Sequence, residues 1–306
     1  MEEKTLVLKD GHELFYRVWK VDNPKATLHI NHGMAEHSLR YNEFASFMNN
    51  DGYTVYCQDH RGHGKTKKDG EEGWFADKDG WMAICNDSFE LDSLISREYP
   101  DIPHLIFGHS MGSFVTRTNI ALHSGSYSAA VICGTGGNQG LIGKIGRRLA
   151  LVRASIYGSK KKAPFLDHLA FGAFNKKFEN EGESAWLSSD RKEVEKYIDD
   201  PLCGFICSNK FYADLIEGSF MANDPTLIRK IRKDLPILFV SGQLDPVGDY
   251  SKGVEKAVKL YKDAGINDVR LIFYKDGRHE ILNDVMRYDV MKDVSNFYKE
   301  AIGGAK

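Results

Sequence analysis

Pro103-His104-Leu105-Ile106-Phe107-Gly108-His109-Ser110-Met111-Gly112-Ser113 decides how this chain is read. A short apolar run ends in Gly-His-Ser-Met-Gly, and the helix-compatible stretch Ser113–Leu122 follows at once. That is a G-x-S-x-G motif in the order that gives it meaning: strand, sharp turn, helix. The turn forces Ser110 into a strained backbone conformation. Gly108 and Gly112 carry no Cβ, so strand and helix can close around it. The strain holds the hydroxyl out of the sheet, at the positive N-terminal end of the following helix.

Outward from this point the N-terminal third alternates strands and helices. Leu6–Leu8 and Glu13–Val21 read as a hairpin joined by Lys9-Asp10-Gly11-His12. Buried strands are expected at Thr27–Asn31 and Tyr53–Cys57, with a helix over about Tyr41–Asn50 between them. Trp81–Tyr99 carries Ile84, Phe89, Leu91, Leu94 and Ile95 at near-helical spacing, and Pro100 closes it. The elbow strand and its helix come next, then a strand at Ala129–Cys133. Alternation stops near Gly134 and resumes with strands at Pro236–Val240 and Val269–Tyr274 and helices over about Asp249–Ala264 and Tyr288–Ala301. The βα order predicts an α/β fold with a mostly parallel sheet and helices on both faces. Residues 1–135 and 235–306 would form the core domain, and 136–234 a helical cap inserted into it.

A chain of 306 residues accommodates this plan. Its 42% hydrophobic and 27% charged residues are those of an ordinary globular protein, and a net charge of −2 gives no global field for nucleic acid. The start, Met-Glu-Glu-Lys-Thr-Leu-Val-Leu, has no apolar core of signal-peptide length, so a cytoplasmic location is expected. No segment is long and apolar enough to span a bilayer. The five cysteines are an odd number, and Cys57, Cys85 and Cys133 sit in apolar runs that suit buried free thiols. Cys203 and Cys207 have no Cys or His nearby in sequence, which argues against a zinc site. Neither metal nor organic cofactor is expected, and nothing in the sequence sets the oligomeric state.

A serine hydroxyl needs a base to take its proton and a group to orient that base. On such a sheet both belong on loops after later strands, in the order Ser, acid, His. Asp245 in Ser241-Gly-Gln-Leu-Asp245-Pro246 and His279 in Gly277-Arg-His279-Glu meet that demand. Asp276 is a rival acid, but three residues from His279 it reads as a turn residue. His12, His60, His63, His109, His123 and His168 lie in the wrong places for the base. The oxyanion of the tetrahedral intermediate needs two donors. The Met111 amide, next to the nucleophile, is one. The other is expected from His32-Gly33-Met34, with the Met34 amide as the candidate.

Together the elbow, His32-Gly-Met-Ala-Glu-His-Ser-Leu-Arg-Tyr41, Asp59-His-Arg-Gly-His-Gly64, Ser241–Pro246 and Gly277–Asn283 resemble the α/β-hydrolase fold. Within it they resemble the S33-type serine hydrolases that include monoacylglycerol lipases and bacterial lysophospholipase-like esterases. The resemblance implies a Ser-Asp-His triad, a helical cap, and hydrolysis of carboxylic esters of lipids or small alcohols. It also implies that Glu36 and Arg40 shape the polar, alcohol-binding end of the site, with a structural brace as the alternative. Asp59–Gly64 reads as a structural turn. The partner expected is a small-molecule ester or lipid. Rivals on the same fold are a small-ester esterase, a thioesterase and a proline-iminopeptidase-like aminopeptidase. The aminopeptidases usually carry a Gly-Pro-rich oxyanion loop, which His32–Glu36 lacks. A non-catalytic binder is the rival outside enzymes.

Substrate preference should lie in the insertion. Leu141–Ala163 carries Lys144, Arg147, Arg148, Arg153, Lys160, Lys161 and Lys162 and no acid. Leu141, Ile145, Leu149 and Val152 recur at helical spacing, giving an apolar face and a basic one. The basic face is read as solvated and balanced by the acidic stretch Glu179–Asp200, with peripheral membrane contact through the cap as the sharper reading.

Overall fold

The structure, a computed structural model, describes residues 1–303. In chain order the elements are β1 Glu2–Val7, β2 Glu13–Trp19, β3 Ala26–Asn31, α1 Asn42–Asn50, β4 Tyr53–Gln58, α2 Gly80–Glu98, β5 His104–His109, α3 Met111–His123 and β6 Ala129–Cys133. The insertion supplies α4 Gly140–Tyr157, α5 Pro164–Phe171, α6 Arg191–Asp199, α7 Asn209–Ala222 and α8 Pro225–Ile228. Then come β7 Ile237–Gly242, α9 Lys252–Asp263, β8 Val269–Tyr274 and α10 Arg287–Gly303.

The eight strands form one sheet in the order β1-β2-β4-β3-β5-β6-β7-β8. The hairpin β1–β2 and its junction with β4 are antiparallel, and the pairings from β4 through to β8 are parallel. A parallel sheet must be covered on both faces, and this one is. Phe44 and Met48 of α1 and Val290, Met291 and Val294 of α10 pack on one face. Ile120 of α3 and Val254, Ala257 and Val258 of α9 pack on the other. Leu105, Ile106 and Phe107 of β5 are fully buried, each contributing roughly 1.5–3 kcal/mol of apolar burial.

Three local expectations are corrected. β1 runs from Glu2 rather than Leu6, because its whole length pairs with β2, Glu2 opposite Val18. α9 starts at Lys252 rather than Asp249, since Asp249, Tyr250 and Ser251 all have positive φ (49°, 51° and 81°) and cannot belong to a right-handed helix. The apolar stripe read on α4 lies mostly outward. Only Gly143 and Ala150 of this helix are buried. A side chain at Gly143 would meet the Phe220 ring at 3.0 Å, so small residues let α4 lie close on α7. Leu149 packs partly inward, while Leu141, Ile145 and Val152 are 72%, 62% and 48% exposed. Third, the basic residues of 141–163 are not balanced by the acidic stretch 179–200. Arg147 pairs with Glu217, Lys160 with Glu71 and Lys162 with Glu72.

Candidate active site

The site is built at the C-terminal ends of β3, β5, β7 and β8, where strand order doubles back. Ser110 has φ 52° and ψ −119°, a conformation worth about 1–3 kcal/mol of strain for a residue with a side chain. The surroundings over-determine it. Its amide donates to the Cys133 carbonyl at 3.0 Å, and its carbonyl accepts from the Ser113 amide at 2.9 Å. A side chain at Gly112 would collide with the backbone carbonyls of Asn31 and His32, and one at Gly108 with Gly112 and Thr116. The two glycines are what let α3 start directly beneath the serine.

His279 lies on the loop after β8 and Asp245 on the loop after β7. The His279 ring has its Nδ1 at 3.1 and 3.0 Å from the two Asp245 carboxylate oxygens, and its Nε2 at 2.9 Å from Ser110 Oγ. A carboxylate only accepts, so Nδ1 carries the proton and Nε2 is left to accept the serine hydroxyl. Asp245 is fully buried and also accepts from the Val247 amide at 2.8 Å. Burial disfavours the charged ring of His279, but the Asp245 carboxylate outweighs it and holds the pKa above the ordinary value of 6.5. His109, 4.8 Å away ring to ring, is pushed down to about 4 by burial and by His279, so it stays neutral beside the base. Asp276 has φ 63° and sits in the turn after β8.

Gly33 lies against Ser110: a Cβ placed on it would sit 3.2 Å from Ser110 Cβ. The Met34 and Met111 amides donate to no protein group among the described residues. Glu36 holds the loop just before Met34. Its Oε1 accepts from the Gly33 amide at 2.5 Å and from Tyr41 OH at 2.9 Å, and its Oε2 accepts from Arg40 at 2.9 Å. Arg40 in turn grips both oxygens of Glu280 at 2.7 and 2.6 Å. Arg40 outweighs the burial of Glu280 and keeps that carboxyl well below its ordinary value. The contacts of Glu36 and Arg40 are therefore with protein: they tie the Gly33–Met34 loop to the residue after His279.

Glu280 carries no signal in the sequence beyond its place next to His279, since its partner Arg40 is 240 residues away. Two more residues join it. Arg278 donates to the carbonyls of Ala185 at 2.6 Å and Ser188 at 3.2 Å. The Trp186 ring lies 5.2 Å from the His279 ring, tilted by 31°, and its carbonyl accepts from the His279 amide at 3.3 Å. The insertion thus buttresses the histidine from above. Asp59 accepts from the Ser38 and Lys65 amides at 2.8 and 2.7 Å, and among the described residues no hydrogen bond joins the Asp59–Gly64 turn to Ser110, Asp245 or His279.

Arg40→Ala would leave Glu36 and Glu280 buried with their cation gone. Breaking a buried ion network in this way costs about 3–5 kcal/mol. The urea unfolding midpoint of that variant should fall accordingly, and a loss under about 1 kcal/mol would show the network to be no brace.

A serine held at a strand-to-helix elbow, facing a histidine and an aspartate on later loops of a mostly parallel sheet, defines a protein of the α/β-hydrolase fold. The sequence profile of the serine aminopeptidase S33 family matches residues 22–286, and the chain belongs to that family. It is 26% identical to mouse monoglyceride lipase over 309 residues, covering 98% of this chain and 91% of that one. It is 28% identical to the monoacylglycerol lipase of Mycolicibacterium smegmatis over 292 residues, covering 94% and 93%. Among solved structures, the thermostable carboxyl esterase of Bacillus coagulans in complex with glycerol superposes with a TM-score of 0.91 at 27% identity, over 98% of each chain. A soluble variant of Saccharomyces cerevisiae monoglyceride lipase superposes at 0.77, and at 20% identity this speaks for the fold alone.

Proposed function

We propose that the protein is a serine carboxylic-ester hydrolase that acts on monoacylglycerol- or lysophospholipid-type esters. The observation that carries this reading is the line from Ser110 Oγ through the His279 ring to Asp245, with bonds of 2.9 to 3.1 Å. Ser110 attacks the ester carbonyl as His279 takes its proton. The Met34 and Met111 amides hold the oxyanion. The tetrahedral intermediate collapses, the C–O bond breaks, and His279 returns the proton to the leaving alcohol. Water then enters and attacks the acyl carbon as His279 takes its proton; the bond to Ser110 Oγ breaks, the acid leaves, and His279 returns the proton to Oγ. Asp245 orients the ring throughout.

The names of the relatives support a glycerol ester as substrate, and the esterase captured with glycerol supports a glycerol-sized alcohol end. Residues 136–234 act as the cap. No helix among the described residues is long and apolar enough to cross a membrane. The outward apolar residues of α4 and α5, among them Ile142, Ile156 and Leu169 at 82%, 68% and 61% exposure, support peripheral contact with a lipid surface instead. Lys144 and Arg148, exposed on the same helix, suit anionic headgroups.

The test is a substrate panel: p-nitrophenyl esters of rising chain length, then a monoacylglycerol against a lysophospholipid. Turnover of the glycerolipids is expected. High activity on acetate or butyrate with none on glycerolipids would replace this reading with a small-ester esterase. The same assay checks the pH dependence. His279 must be neutral to act as base, and Asp245 raises its pKa. Activity should therefore fall as pH is lowered through a value above 6.5, the ordinary value, and an inflection below it would contradict the assigned base.

A further inference from the structure

His37, Asp200 and Cys203 lie outside the machinery just described, and the fold brings them together from segments 163 residues apart. One ligand atom from each lies within 4.8 Å of the other two. His37 Nε2 donates to Asp200 Oδ2 at 2.9 Å. Its other ring nitrogen, Nδ1, is buried with no partner, in a residue only 3% exposed. Cys203 is a free thiol, also buried. A nitrogen, a carboxylate oxygen and a sulfur in one cluster form the donor set that zinc takes in three-ligand sites, with water as the fourth ligand.

From this geometry we infer that His37, Asp200 and Cys203 form a binding site for a thiophilic divalent cation such as zinc, clamping the insertion to the oxyanion loop. Cys203 has no Cys or His partner near it along the chain, and His37 reaches it only across the fold. In tetrahedral zinc the ligand atoms sit about 3.3–3.8 Å apart, so the cluster has to close by only about 1 Å. On binding, the thiol proton of Cys203 leaves to solvent and the sulfur bonds the metal as thiolate. Arg40, whose charge reaches Asp200 and Cys203, is already matched by Glu36 and Glu280. The clamp would act where the insertion meets the loop. The Gly204 amide donates to the Ala35 carbonyl at 2.9 Å, one residue from Met34. Holding Asp200 and Cys203 to His37 would restrain the insertion beside the Met34 amide and slow turnover.

Zinc chloride titrated into the full chain, against a chromophoric chelator and without substrate, tests the site independently of any enzymatic reading. One equivalent is expected to bind at micromolar or tighter affinity. Cys203→Ser and His37→Ala should each weaken it by at least about tenfold. Cys207→Ser, at a buried cysteine outside the cluster, should bind as the parent does. Thermal melts establish that each variant folds. In a second arm, zinc should slow ester turnover by the parent and leave Cys203→Ser turnover unaffected. Equal zinc affinity in the parent and Cys203→Ser, or equal inhibition of both through His279, would overturn the proposal.

Discussion

Ser110→Ala is expected to lower ester turnover by about 10⁵–10⁶-fold while leaving the protein folded. The loss corresponds to about 7–8 kcal/mol of transition-state stabilisation, because no covalent acyl-enzyme can form without the hydroxyl. The fold should survive because, among the described residues, Ser110 Oγ bonds only to His279, and the elbow backbone is held by the Cys133 carbonyl and the Ser113 amide. Alanine retains a Cβ, so the positive φ at this position costs it the same strain. Steady-state kinetics together with a thermal melt check both halves. Turnover within tenfold of the parent would remove Ser110 from the mechanism, and a collapsed melt would mean that the serine is structural.

Asp245→Asn should cost about 10⁴-fold in kcat. The amide can present its NH₂ to His279 Nδ1, which then accepts instead of donating. The proton moves to Nε2, the atom that has to accept from Ser110. The buried geometry should otherwise persist, since Asn Oδ1 can still accept from the Val247 amide. A second signature separates this from general damage. Asp245 is what raises the pKa of His279 against its burial. In Asp245→Asn the pH profile of the residual activity should therefore lose its raised inflection. A drop of less than tenfold, or an unmoved inflection, would point to another acid as the orienting group.

How much of this was legible in the sequence follows from how local each feature is. The elbow was readable because its determinants are adjacent: an apolar strand, two glycines and a helix around Ser110. Asp245 and His279 were readable because the α/β plan places such groups just after β7 and β8. The family resemblance agrees with the profile that matches residues 22–286. The brace was readable only in part, as the alternative role of Glu36 and Arg40, and its third member was hidden. Glu36 and Arg40 were singled out, but Glu280 meets Arg40 only once β8 lies beside β7 and the loops converge. Trp186 sits in the insertion, where the sequence shows helical patches but no contacts. The orientation of α4 escaped for a related reason. Spacing showed an apolar stripe, but the surface presented to α7 was decided by which side could approach closely, and Gly143 and Ala150 made that the small-residue side. Cys203 looked isolated because its neighbours in space, His37 and Asp200, come from different parts of the chain.

The central claim is that Ser110 is an activated nucleophile, and covalent labelling tests it most directly. The native protein should react with a fluorophosphonate probe at a single site, gaining one adduct in its intact mass that peptide mapping places on Ser110. Ser110→Ala should gain none, and Asp245→Asn should label far more slowly. An unlabelled native protein, or an adduct on any residue other than Ser110, would contradict the account.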